Sequence, residues 1–151
     1  MKTTNTNTSA TPTATTKYQP EWMQYVPQGS YLLTSSEVNI LIQGTNTFNN
    51  LPCVPLSYSE GMASGIEDIS NDNGKLIITP GNGNVPNPTQ NGPFIPSGSY
   101  SIVTKDITIT VTALCLNEKS QGIMSKVSFN QTQAATLKDI ININGVLTLG
   151  F

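Results

Sequence analysis

Two phrases of this sequence occur twice, in the same order. Residues 26–31, VPQGSY, return as residues 95–100, IPSGSY. Residues 69–77, ISNDNGKLI, return as residues 140–148, IININGVLT. The first pair of phrases is 69 positions apart and the second pair is 71. The chain therefore contains one structural unit twice, which implies two related surfaces.

Each unit has the alternation of apolar and polar residues that is typical of half-buried strands. The apolar positions of these patterns are Val38, Ile40 and Ile42 in the first unit, and Ile107, Ile109, Val111, Val127 and Phe129 in the second. Asn-Gly steps at 73–74 and 144–145 predict tight hairpin turns, because both central residues of such turns need a positive φ. Apolar return strands follow each step.

Helical patterns are scarce in the sequence. Residues 132–141 contain the only helix-like stretch, and residues 66–69 could form a matching short turn. The expected fold class is mainly β, a pseudo-two-fold duplicated β domain with short helical turns.

The domain organisation follows from composition. Residues 1–17 are rich in Thr and Asn and are expected to be a disordered tail. Residues 18–151 are expected to form a single domain. It is made of two repeats, 26–79 and 95–149, joined by a Pro/Gly/Asn-rich linker at 80–94.

The charge balance excludes several function classes. The chain has no His, all seven positive side chains are Lys, and the net charge is −2. A basic patch that could release counterions from nucleic acid is absent from this composition. Without His, Ser-His and Cys-His nucleophiles and most zinc sites are excluded. Abundant neutral amides and hydroxyls suit a polyhydroxyl ligand, although such residues also simply keep a β protein soluble.

Carboxylates and thiols give no catalytic or metal-binding pattern. If Gly74 were the turn glycine of a calcium loop, the terminal carboxylate position would be Pro80. The adjacent acids Glu67 and Asp68 usually point apart, and the second repeat offers Lys138-Asp139 there. We therefore predict no enzyme activity, no cofactor and no metal.

The two cysteines, Cys53 and Cys115, fall one in each repeat and are expected to be free or partly buried thiols. The chain starts without a signal-peptide pattern, which favours a cytoplasmic or non-classically released protein. No stretch approaches transmembrane length, so no membrane partner is expected.

The Asn-rich turns are the strongest candidate binding elements. Turn chemistry explains Asn73 and Asn144, because Asn tolerates left-handed backbone. It does not require Asn71 and Asn142, two positions earlier. A side-chain amide offers both a donor and an acceptor, which fits the vicinal hydroxyls of a sugar.

These end phrases resemble the repeat ending of the cyanovirin-N family. Gly98-Ser99-Tyr100, the strand at 107–109, residues 112–115 and residues 127–130 also resemble that repeat in their order. The chain departs from the family in its missing cysteine pairs and in the long linker. It also has extra residues at 131–138.

The resemblance implies a compact β domain of two pseudo-symmetric halves with exchanged segments. It also implies a non-catalytic lectin for mannose-type glycans, as a monomer or a domain-swapped dimer, with no nucleic-acid partner. One pocket would use Ser70, Asn71, Asn73, Ser97, Gly98 and the loop Asn117, Glu118, Lys119. The other would use Asn142, Asn144, Gln28, Gly29 and the pair Asn46 and Thr47.

Replacing Asn71 or Asn142 with Ala is then expected to weaken sugar binding while leaving stability nearly unchanged. The alternative is a structural or protein-interaction β domain that keeps the fold without sugar binding.

Overall fold

The computed structural model describes residues 24–81 and 92–151. The predicted tail at 1–17 and most of the predicted linker at 80–94 lie outside these residues. The described part is mainly β. Its strands are β1 (Ser35–Asn46), β2 (Leu56–Ser59), β3 (Ile66–Asp72), β4 (Lys75–Pro80), β5 (Thr104–Leu116), β6 (Gly122–Asn130), β7 (Asp139–Ile143) and β8 (Val146–Gly150). Its helical segments include the 3-10 helices η1 (Ser30–Leu33), η2 (Glu60–Gly65) and η3 (Ser99–Ile102), and the α-helix α1 (Gln131–Thr136). None of the helices in these two ranges is long and apolar enough to span a membrane.

A four-stranded antiparallel sheet in the order β2-β1-β5-β6 forms the centre of the fold. The long strands β1 and β5 pair with each other, so that Ile40 lies opposite Val111 and Ile42 opposite Ile109. These side chains are fully buried. The predicted alternation is confirmed, because successive side chains of a strand point to opposite faces of the sheet.

Two hairpins, β3–β4 and β7–β8, form separate two-stranded sheets. Their turns have a positive φ at both central residues, 57° and 93° at Asn73 and Gly74, and 50° and 90° at Asn144 and Gly145. Both predicted Asn-Gly hairpins are therefore confirmed, with backbone angles that match the twist of the flanking strands.

The predicted helix at 132–141 is only partly correct. α1 ends at Thr136, and Ile140 and Ile141 lie in β7, where they pair with Leu149 and Thr148. Ile140 is fully buried, and its burial in a β ladder overrides the weak helical preference of the preceding residues. A capping box at Asn130 fixes the start of α1.

The predicted short turn at 66–69 is wrong. These residues open β3, where Ile69 pairs with Ile78. Ile66 and Ile69 are both buried. The register shifts between Ile66 and Asp68, and this bulge lets both side chains face the core from one strand. The helical segment of this half is η2, which comes just before β3.

The order of elements is the same in both halves of the described chain. A 3-10 helix, a long strand, a second strand, a short helix and a hairpin follow one another twice. The start of each half contacts the hairpin of the other half. Ser30 donates from its backbone N and from Oγ to the Asp139 carboxylate, over 2.8 and 2.6 Å. Ser99 donates in the same way to Asp68, over 2.8 and 2.5 Å.

Glycine is required at these contacts because the backbones approach closely. A Cβ on Gly29 would lie 2.7 Å from the Ile140 carbonyl oxygen, and one on Gly98 would lie 2.6 Å from that of Ile69. Both distances are shorter than a carbon and an oxygen tolerate, which explains the glycine in each copy of the start phrase.

Cys53 and Cys115 are both free and buried, as predicted. Burial raises the pKa of each thiol. A raised pKa lowers the fraction of thiolate, the nucleophilic form, so both side chains behave as small core residues.

Candidate functional site

Four of the predicted pocket residues lie in a buried seam between the two halves. Gln28, Gly29, Ser97 and Gly98 are all buried. The backbone N of Gln28 donates to the Pro93 carbonyl over 2.8 Å, and the backbone N of Ser97 donates to the Gln24 carbonyl over 2.9 Å. The seam therefore joins each start phrase to residues just before the other one and does not line an open surface.

The loop at 117–119 lies beside the second hairpin turn, so its predicted grouping with the first turn is wrong. The backbone N of Glu118 donates to Asn144 Oδ1 over 2.8 Å. The Asn142 amide donates to the Leu116 carbonyl over 2.9 Å. The antiparallel pairing of β1 with β5 is the reason, because it brings the end of β5 next to the start of β1.

The predicted grouping of Asn46 and Thr47 with the second turn is also wrong, because both residues lie beside the first turn. Thr47 donates from its backbone N to the Val103 carbonyl over 3.0 Å. The same carbonyl accepts from the Asn71 amide over 3.2 Å. A Cβ on Gly74 would lie 3.5 Å from Asn46 Nδ2. The end of β1 thus meets the start of β5 at the first hairpin.

The Asn71 side chain holds the first turn in place. Its Oδ1 accepts from the Gly74 backbone N over 2.8 Å. Its Nδ2 donates to Thr104 Oγ1 over 3.0 Å and to the Val103 carbonyl. Both ends of the amide are occupied by protein partners, which makes this side chain a part of the turn and of the contact between the halves.

The Asn142 side chain repeats this arrangement at the second turn. Its Oδ1 accepts from the Gly145 backbone N over 2.8 Å, and its Nδ2 donates to Thr34 Oγ1 and to the Leu116 carbonyl, each over 2.9 Å. The expectation that substitution of either Asn leaves stability unchanged is therefore revised.

The first turn also carries polar side chains that are open to solvent. Asp72 and Asn73 are exposed, and Ser70 is half-buried. Within residues 24–81 and 92–151 the Asn73 side chain makes no hydrogen bond, whereas Asn144 accepts from Glu118. Of the two turns, the first has the freer amide at its tip.

Two exposed apolar residues beside the first turn, Phe48 and Ile102, are not among the site residues predicted from the sequence. Phe48 is 81% exposed and Ile102 is 70% exposed. The loop that carries Phe48 is held against the turn, because Val54 donates from its backbone N to the Gly74 carbonyl over 2.8 Å. The sequence feature that could have identified Phe48 is its position between two polar pairs, Asn46-Thr47 and Asn49-Asn50. We call Phe48, Asn50, Asp72, Asn73 and Ile102 the first-turn surface.

The second turn is surrounded by aliphatic side chains. A Cβ on Gly145 would lie 2.9 Å from Ile123 Cγ1, so the turn packs directly on β6. We call the exposed side chains around it the second-turn surface; they are 41–56% exposed and comprise Leu33, Leu116, Ile123, Met124, Ile143 and Val146. Glu118 and Lys119 are exposed in the neighbouring loop. The two ends of the molecule thus differ in chemistry.

Two shallow cavities lie near α1 and away from the predicted pocket residues. One, of about 380 Å³, is lined by residues 92–95 and by Gln131, Ala134 and Ala135. The other, of about 210 Å³, is lined by residues 106–108 and 130–132. None of the predicted site residues lines either cavity.

Acidic and thiol side chains do not converge in the described part of the chain. No three His, Cys, Asp or Glu residues there form a group that could hold a metal ion. The hairpin turns therefore offer hydrogen bonds and apolar contacts as their chemistry.

The comparisons with known proteins give no match. No protein-family model, no curated protein and no solved structure is similar to this chain at a significant level.

Proposed function

We propose that the protein is a non-catalytic carbohydrate-binding lectin and that its main site is the first-turn surface. The observation that carries this proposal is the Phe48 ring, 81% exposed, on a loop that is hydrogen-bonded to the Asn-rich turn. An exposed aromatic face packs well on the C–H face of a sugar ring. The nearby polar side chains supply donors and acceptors for its hydroxyls.

The polar groups of this surface have different roles toward a sugar. The Asn73 amide, which has no partner in the described residues, both donates and accepts. The Asp72 carboxylate only accepts, and it forms the stronger bonds because it is charged. The exposed amide of Asn50 lies in the same loop as Phe48. Such contacts suit a neutral polyhydroxyl ligand.

We further propose the fold of the cyanovirin-N type and, with it, mannose-type oligosaccharides as the ligand class. The repeated order of elements and the reciprocal serine–aspartate contacts support a duplicated fold with exchanged segments. The choice of mannose rests on the resemblance of the end phrases alone. The second-turn surface offers fewer free polar groups, so the two ends are expected to bind sugar unequally.

Titration with oligomannose, followed by calorimetry, tests the proposal. We expect weak binding, with a Kd in the roughly millimolar to micromolar range that a few polar contacts provide. Phe48→Ala and Asn73→Gly should each weaken it about fivefold, since one aromatic contact or one hydrogen bond contributes about 1 kcal/mol.

Leu33→Ala is the control for Phe48→Ala, since it also removes an exposed apolar side chain, but from the second-turn surface. It should leave binding unchanged. Absence of binding at millimolar sugar by a protein with an intact thermal transition would refute the lectin function. Unchanged binding by Phe48→Ala would refute this site alone.

The second-turn surface favours a second candidate function, that of a protein-interaction domain. Clustered exposed aliphatic side chains of this kind are typical of protein contacts. The measurement is sedimentation over a range of concentrations, which detects association with a second copy. Ile143→Lys should abolish such association while Phe48→Lys should leave it intact; a monomer at all concentrations would contradict this candidate.

A further inference from the structure

We propose that Asn73 is a site of spontaneous deamidation, and that Asn144, at the equivalent turn, is protected from it. Both residues precede a glycine, and Gly74 and Gly145 have no side chain to shield their backbone N. Asparagine is among the chemically labile residues of proteins. The two sites share the same backbone turn, so any difference between them arises from their surroundings.

The reaction is intramolecular and needs only water. The Gly74 nitrogen attacks Cγ of Asn73 and forms a new C–N bond as it loses its proton. The bond from Cγ to the side-chain nitrogen breaks, and that nitrogen leaves as ammonia. Water then opens the cyclic succinimide at either carbonyl and yields aspartate or isoaspartate. The net change is one amide and one water converted to one carboxylate and one ammonium ion.

The attacking nitrogen is restrained equally at the two turns. The Gly74 N–H donates to Asn71 Oδ1, and the Gly145 N–H donates to Asn142 Oδ1, each over 2.8 Å. A proton held in this bond is removed less readily, so Asn71 and Asn142 slow the first step. This gives a second role to the two amides that hold the turns.

The reacting amide is restrained at one turn only. Asn144 Oδ1 accepts from the Glu118 backbone N over 2.8 Å, and that bond must break before the side chain rotates toward Gly145. Asn73 is exposed, and its side chain has no hydrogen bond within the described residues. Asn73 therefore reaches the attacking position more often than Asn144.

The test is incubation of the folded full-length protein at mildly alkaline pH, followed by peptide mass mapping and isoaspartate labelling. We expect Asn73 to convert about fivefold faster than Asn144, the factor that corresponds to about one hydrogen bond in the barrier. In urea the two sites should convert at similar rates, because both are Asn-Gly steps. Equal rates in the folded protein, or a faster Asn144, would overturn the proposal.

A pair of variants isolates the role of Asn71. Asn71→Ala removes the acceptor for the Gly74 N–H, whereas Asn71→Asp keeps an acceptor oxygen there and replaces the Nδ2 donors with a second carboxylate oxygen. Both variants lose the hydrogen bonds that Nδ2 donates to Thr104 and Val103. Asn73 should convert faster in Asn71→Ala than in Asn71→Asp, by about fivefold. Equal rates in the two variants would show that the Gly74 hydrogen bond gives no protection.

Discussion

One side-chain amide connects three segments at each hairpin turn. Asn71 accepts from the turn through Oδ1 and donates through Nδ2 to the start of β5 and to Cys53 Sγ. Asn142 does the same between its own turn, Thr34 and the end of β5. Because an amide presents a donor and an acceptor in one plane, Asn can bridge a turn N–H and a neighbouring carbonyl at once.

Replacement of Asn71 by Ala is expected to lower the free energy of unfolding by about 1–3 kcal/mol, since it leaves the partly buried partners of the amide unpaired. Asn142→Ala should cost less, because its Nδ2 contacts are exposed to water, which replaces them. Urea unfolding measures both.

Asn73→Gly is the control for this comparison, since glycine keeps the positive φ of the turn and removes only an unbonded amide. It should change stability by no more than about 0.5 kcal/mol. If Asn71→Ala proved as stable as the control, the hydrogen bonds of this amide would contribute nothing net.

The hairpins are the elements that the sequence predicts best. An Asn-Gly step between apolar runs determines a turn from local chemistry alone, and both turns occur where they were predicted. The period-two pattern likewise identifies β1 and β5, because it depends only on which face of a strand is buried.

Local sequence patterns do not predict which segments lie beside each turn. Loop 117–119 was grouped with the wrong hairpin, because its place follows from the pairing of β1 with β5 across the repeats. Residues 66–69 were also misassigned, since their strand character depends on burial against the rest of the core. The exposure of Phe48 is a property of the finished surface, and no periodicity in the sequence reports it.

The two turns provide a matched test of the hairpin element. Gly74→Ala should destabilise by about 1–3 kcal/mol through backbone strain alone, since its Cβ would meet Asn46 at an ordinary 3.5 Å. Gly145→Ala should cost more, because the same strain is joined by a 2.9 Å contact with Ile123. Chemical unfolding compares the two; equal losses would mean that Ile123 yields without cost.

The molecule as a whole is held together by contacts that each half makes with the other. Asp68 binds the backbone and hydroxyl of Ser99, and Asp139 binds those of Ser30. A charged acceptor that binds two donors contributes more than a neutral one. Neither pair was predicted, although both acids precede an isoleucine of the end phrase and both serines follow a glycine of the start phrase.

A double-mutant cycle on Asp68→Asn and Ser99→Ala measures one of these contacts. The coupling energy should be about 1–3 kcal/mol, as expected for a hydrogen bond to a charged group. The cycle on Asp68 and Ser30, which belong to different pairs, is the control and should give no coupling. A near-zero coupling for Asp68 with Ser99 would mean that this contact contributes nothing net to stability.

The buried tyrosines make the whole fold sensitive to alkali. Tyr58 donates to the Tyr25 carbonyl and Tyr25 donates to the Glu67 carbonyl, each over 2.6 Å, which links β2, the residue just before the first repeat, and β3. Burial, with smaller contributions from the charges of Asp68 and Glu67, raises the pKa of Tyr25 to about 12. Burial also raises the pKa of Tyr31 and Tyr58.

A tyrosine whose pKa is higher in the folded chain than in the unfolded chain stabilises the fold at low pH, where its hydroxyl is protonated in both states. That stability is fully present below the ordinary value of 10.0 and is lost as the pH rises through about 12. We therefore expect the free energy of unfolding to fall steeply over this window, and tyrosinate absorbance to appear together with unfolding. In Tyr25→Phe the fall should be shallower, because one of the titrating groups is gone. Tyrosinate that forms while the far-UV spectrum stays native would contradict this account, since it would show that these hydroxyls ionise without opening the core.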